Sequence, residues 1–250
     1  MQELRQLLAM SRTDTSRTEA YNPYPSTADL QLPLMPYADI YNRVSDTSIY
    51  PFRVTCRVAY GNDNSKGSGF LVGPNLLLTC AHCVMDEDTG VQFTNWTCYP
   101  GYNNGQTYKG YSSGWSNIYY PNSWQNNDQY DWCLCVLNNS LGSNLGYFGC
   151  QSCGTNSELT NVPMRLIGYP LAANNARTQC YTDGVTSNVH ANYFDSSARA
   201  MKGMCGGPAL RTSDNYAIGI EKGVYTNEPT RTFCVRITQD IIDLINSLRS

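Results

Sequence analysis

From Arg43 almost to its end the chain keeps no sustained helical period. Apolar and polar residues alternate in short runs, as in RVSDTSIYPFRVTCRVAY, the pattern of strands with one buried face. Clusters such as GNDNSKG, GPN, MDEDTG, GYNNGQ and NNSLGSN cut these runs, and their Gly and Asn residues suit tight chain reversals. The pattern predicts a mostly β body of short strands joined by turns. With 250 residues the chain can bury a sizeable core as one compact unit. The last segment, TQDIIDLINSLRS, changes character. Ile241, Ile242, Leu244, Ile245 and Leu248 recur at helical spacing behind a Thr-x-x-Asp start, which predicts one amphipathic helix lying on the β body.

Residues 1–33 are polar at first and then punctuated by prolines in YNPYPSTADLQLPLMP, which predicts an extended leader or propeptide with a short helix around Glu3 to Met10. The folded domain is expected over 34–250. No apolar run approaches the roughly 18 residues of a membrane span, and the N-terminal stretch lacks the h-region of an export signal. Charged residues make up 15% and the net charge is −3, so there is no basic footprint for nucleic acid. Proteins or peptides are the expected partners. Eleven cysteines would suit an oxidised secreted framework, but the odd count and the missing signal point instead to a reducing compartment, the cytoplasm.

The chemistry concentrates in AMKGMCGGPAL, residues 200–210, where Cys205 is flanked by glycines. A cysteine nucleophile wants an imidazole base, and there are two histidines. His82 stands where an apolar strand runs into the turn Thr79-Cys80-Ala81-His82, a rigid setting for proton transfer; His190, in SNVHANY, has no such setting. Asp131 immediately precedes the apolar run WCLCVL, so its carboxylate is held at a strand mouth and can orient the imidazole. Asp128, three residues earlier in a polar turn, reads as solvated. Gly203 lets the backbone approach a substrate closely, and the amides of Gly203 and Cys205 would form an oxyanion hole. Cys80/Cys83 and Cys150/Cys153 have zinc-type spacing, but the first pair brackets the base and a metal there would occupy the imidazole. Neither a metal nor another cofactor is expected.

The order His82, Asp131, Cys205 within TCAHC, YDWCLCVL and GMCGGPAL resembles the chymotrypsin-like (trypsin-like) protease superfamily. Within it, RVSDTSIYPFR, GSGFLVGPNLLLTCAHC, SLGSNLGYFG, LIGYP and GVY followed by RIT are similar to the bacterial glutamyl endopeptidase branch. The resemblance implies an all-β fold of two six-stranded antiparallel β-barrels with the active site between them and a C-terminal helix. It implies a Cys-His-Asp endopeptidase, made as a zymogen and activated by removal of the leader near Leu34 or Met35. A leader that occludes or distorts the cleft until cut is the expected means of control. A cysteine at the nucleophile position resembles the picornavirus processing proteases. In the resembling proteases the partner of a cysteine at position 83 would fall near Gly67, so that disulfide cannot form here. The same alignment puts Glu221 where a specificity histidine would sit, favouring a basic side chain before the scissile bond, while Arg199, with Ala200 beside it at the pocket floor, argues for an acidic one. A basic preference is expected. The competing reading is an inactive pseudoprotease that binds peptides or a partner protein.

Overall fold

The computed structural model describes residues 16–24, 41–61 and 64–249. The expected helix at Glu3 to Met10 and the expected leader boundary lie outside the described residues. No described helix is long and apolar enough to cross a membrane.

Two antiparallel sheets form the body. The first contains β2 (Thr55–Tyr60), β3 (Asn64–Gly73), β4 (Leu76–Thr79), β5 (Thr97–Pro100), β6 (Trp115–Tyr119) and β7 (Cys133–Leu137), in the order β5-β2-β3-β4-β7-β6. The second contains β8 (Pro163–Gly168), β9 (Cys180–Ser187), β10 (Tyr193–Ser196), β11 (Pro208–Arg211), β12 (Ala217–Tyr225) and β13 (Glu228–Arg236). In it β8 pairs with both β9 and β11, so these strands close into a ring, and β1 (Asn42–Arg43) adds to the outer side of β9.

The expectation of two six-stranded barrels is therefore corrected. Only the second sheet closes by continuous ladders. In the first, the outer strands β5 and β6 share no ladder; Cys98 on β5 instead exchanges backbone bonds with Ser113, just ahead of β6, at 2.9 and 3.2 Å. The reason lies in the sequence between them: the Gly- and Asn-rich stretch 101–114 makes turns where further pairing residues would be needed.

The first sheet is buried more fully than alternation predicts: Cys56, Val58, Phe70, Leu76, Leu78, Cys133, Leu134 and Cys135 are wholly buried, and so are Thr55 and, at 1% exposure, Arg57 between them, because both faces of these strands are covered over much of their length. The C-terminal helix forms as expected. Among the described residues there are two α-helices: α1 (Leu141–Leu145), a single turn that begins in the NNSLGSN cluster, and α2 (Gln239–Arg249). In α2, Ile241, Ile242, Leu244 and Ile245 are buried, and the Arg249 guanidinium donates to the Val72 carbonyl on β3 at 2.8 Å, fixing the helix to the first sheet.

Candidate active site

His82 and Asp131 meet because their flanking strands are neighbours. β4 and β7 pair with Thr79 opposite Cys133, so the turn after β4 and the residue before β7 emerge at the same end of the sheet. His82 sits in a 3-10 turn spanning Ala81–Cys83, and Asp131 follows another spanning Asp128–Tyr130. The imidazole Nδ1 is 2.6 Å from Asp131 Oδ2, and the His82 backbone N–H donates to Oδ1 at 3.1 Å. Two contacts to one buried carboxylate hold the ring against rotation and leave Nε2 facing the cleft.

Cys205 comes from the second sheet, on the loop between β10 and β11. Met204 N–H donates to the Met201 carbonyl, Gly207 N–H to the Met204 carbonyl and Gly206 N–H to the Glu221 carbonyl, at 2.9, 2.9 and 2.7 Å. The N–H groups of Gly203 and Cys205 donate to no acceptor among the described residues. Gly203 has φ +101°, and a Cβ there would stand 2.5 Å from the Tyr169 carbonyl oxygen, so the loop requires glycine at this point. Ser68 on β3 joins the sheets here: its N–H donates to the Cys205 carbonyl at 2.7 Å and its hydroxyl to the Gly203 carbonyl at 2.9 Å. The Cys205 thiol is partly exposed, and the His82 imidazole acts on it, pulling its pKa down.

Charge within this cluster is unequally distributed. Burial, then the nearby Glu221, push the Cys205 thiol up to about 11, against the pull of His82. Burial also opposes the imidazolium, but Cys83 and Asp131 outweigh it and hold His82 well above the usual histidine range. For Asp131, burial is outweighed by His82, with Lys222 adding to the effect, so the carboxyl stays below its ordinary value. At neutral pH the Cys205 side chain is thus a protonated thiol, which would need a base to become a nucleophile.

The specificity candidates separate. Glu221, on β12, is 1% exposed, neither carboxylate oxygen has a hydrogen-bond partner among the described residues, and burial raises it to about 8. Arg199 is half-exposed and forms no ion pair with Glu221 among the described residues. Ala200 is buried, its N–H held by Thr232 Oγ1 at 3.0 Å. His190 is remote in role, stacked on Tyr193 with ring centroids 4.3 Å apart.

Gly67 lies where the missing cysteine partner was expected: a Cβ built there falls 2.4 Å from Cys83 Sγ. Every cysteine is free. Donor atoms of Cys80, His82 and Asp131 lie within 4.8 Å of one another and could hold a metal ion, whereas Cys83, Cys150 and Cys153 belong to no such cluster among the described residues. The trio is already engaged, since the Cys80 thiol donates to the Glu221 carbonyl at 3.2 Å and the other two bond each other.

Sequence reasoning missed two residues. Lys222 Nζ lies 3.0 Å from Asp128 Oδ1 and 3.9 Å from Asp131 Oδ2; its only signal in the sequence was its place beside Glu221, and the pairing of β12 with β13 is irregular there. Ser68 was hinted at by the Gly67-Ser68-Gly69 interruption of an apolar strand.

Comparison with known proteins accords with this geometry. A glutamyl endopeptidase of Bacillus licheniformis is 24% identical over 96% of this chain and 76% of its own length. A Bacillus subtilis protein named extracellular metalloprotease is 29% identical over 53% of this chain and 43% of its own. A solved structure of a Glu endopeptidase in complex with MPD shares the fold, with a TM-score of 0.74 at 21% identity, covering 84% of this chain and 96% of that one. The family model for the trypsin-like peptidase domain matches residues 67–220, a span that holds His82, Asp131 and Cys205 together, and the chain belongs to that family.

Proposed function

We propose that the chain is an endopeptidase that uses Cys205 as nucleophile, His82 as general base and acid, and Asp131 to orient the ring. His82 Nε2 takes the thiol proton as sulfur bonds to the peptide carbonyl carbon, and the carbonyl electron pair moves onto oxygen. The N–H groups of Gly203 and Cys205 receive that oxyanion, each contributing on the order of 3 kcal/mol to lowering the barrier. When the C–N bond breaks, the leaving amine takes the proton from His82. Water then attacks the thioester, giving its proton to His82, and the acid product leaves with the thiol restored.

The observation that carries this reading is the pair of N–H groups, on Gly203 and Cys205, that meet no acceptor among the described residues, on the same loop as a thiol that feels an imidazole oriented by Asp131. Incubation with a peptide library, followed by mass spectrometry, tests it. Cleavage that is abolished by Cys205→Ala and survives a metal chelator is the expected result. Intact peptides, bound equally by both proteins, would establish the binding-module reading instead.

For substrate choice, the reading is a basic side chain before the scissile bond. Glu221 supports it, because a buried carboxyl without a partner is completed by an arriving Arg or Lys. Profiling would show Glu221→Gln losing preference for Arg and Lys over Gln. The chain is further proposed to be a precursor cut by itself or by another protease near Leu34 or Met35, and to work in a reducing compartment, which its free thiols suit.

A further inference from the structure

The connector between the two sheets, residues 147–152, is paired on both edges. On one edge Gln151 N–H donates to the Ala217 carbonyl and Ala217 N–H to the Gly149 carbonyl, both at 2.9 Å, which joins the connector to β12. Phe148 N–H reaches the Leu71 carbonyl on β3 at 2.9 Å, so the same few residues bind both sheets together.

The other edge is occupied by part of the expected leader. Arg17 and Tyr21 form antiparallel bridges with Gln151 and Tyr147. Tyr21 and Tyr147 exchange backbone bonds at 3.0 and 2.8 Å, Thr18 N–H donates to the Cys150 carbonyl at 2.8 Å, and Ser152 N–H donates to the Ser16 carbonyl at 2.8 Å. Thr18 is 1% exposed, and its hydroxyl accepts from Cys150 N–H at 2.9 Å. Side chains from elsewhere hold the strand: Arg249 donates to the Glu19 carbonyl at 2.9 Å and Arg53 to Asn22 Oδ1. The connector is shaped to receive it. A Cβ at Gly146 would stand 2.3 Å from the Tyr21 carbonyl oxygen, and one at Gly149 would stand 2.9 Å from that of Thr18. None of these bonds goes to His82, Asp131 or Cys205.

We propose that residues 16–24 are a permanent strand of the working protein, retained on the connector without a covalent link after any cut within 25–40. Removing the strand would leave buried N–H and C=O groups of Tyr147, Cys150 and Ser152 without partners, at the seam between the sheets. Such groups are satisfied in stable folds, so departure of the strand is opposed by the body it covers. This goes beyond the peptidase reading and does not depend on turnover.

A recognition sequence for an exogenous sequence-specific protease, inserted within 25–40 of the full chain carrying Cys205→Ala, tests the proposal. After cutting, native gel filtration with mass spectrometry reads whether the N-terminal fragment travels with the body. Co-elution in a one-to-one ratio is expected, together with roughly tenfold or greater loss of retention in Thr18→Pro, which lacks the N–H donated to Cys150. Release of the unsubstituted fragment would overturn the proposal. So would equal retention of both fragments, since the holding contacts would then lie outside this strand.

Discussion

Lys222 Nζ stands 3.9 Å from Asp131 Oδ2, the same oxygen that lies 2.6 Å from His82 Nδ1. A cation therefore stands beside the carboxylate that holds the His82 ring. It keeps Asp131 ionised and, as a like charge, opposes the imidazolium. Burial disfavours the charged amine, but the bond to Asp128 and the charge of Asp131 outweigh it, and Lys222 stays cationic at working pH.

With His82 as the proposed base, turnover requires its neutral form, so kcat/KM is expected to fall as pH drops through the His82 pKa, which lies above the ordinary 6.5. Lys222→Met removes the opposing charge, and the acid limb is expected to move up by about one pH unit, while Lys222→Arg leaves it in place. A pH series of kcat/KM for the three proteins checks this. An unmoved limb in Lys222→Met would show that the lysine supports structure only.

Asp131→Asn keeps the shape of the side chain but removes the charge that fixes the tautomer. Turnover is expected to fall by roughly 10² to 10⁴, with peptide affinity nearly unchanged. Single-turnover kinetics together with binding to a Cys205→Ala background separate the two effects.

Glu221 is raised from an ordinary 4.5 to about 8 by burial. A carboxyl whose folded pKa is raised contributes stability that is full below its unfolded pKa and is lost as pH rises through the folded value. Glu221→Gln cannot ionise, so at pH 9 it should unfold at a higher temperature than the parent, by an amount worth a few kcal/mol. At pH 4 the advantage should vanish. Thermal melts at the two pH values provide the comparison.

The backbone at Gly67 is placed for the bridge that this chain lacks. A Cβ there would be 3.5 Å from Cys83 Cβ, within the span of a disulfide, but only 2.6 Å from the Cys205 carbonyl oxygen. Gly67→Cys is expected to form the 67–83 disulfide under oxidising conditions, seen by mass spectrometry after alkylation, and to lower turnover by displacing the nucleophile loop. Reduction should restore only part of the loss, because the added Cβ remains.

Much of the site was legible because its signals are local. A histidine in the turn after an apolar strand, an aspartate before another and glycines around Cys205 are each written within a few residues. Glu221 and Arg199 were both visible, yet whether they pair could not be read, because a strand slip of one residue reverses which face a side chain takes. Lys222 escaped for the same reason: nothing near it in the chain announces Asp131, which lies across the sheets.

The amino-acid order alone determined the strands, the terminal helix and the three separate settings of His82, Asp131 and Cys205, since periodicity and turn chemistry act over short spans. Tertiary structure decided the incomplete closure of the first sheet, the cation behind Asp131, the unpartnered carboxyl of Glu221 and the docking of residues 16–24 on the connector. Those outcomes depend on register and burial among residues far apart in the chain, where each backbone group satisfied at one edge depends on which segment arrives to meet it.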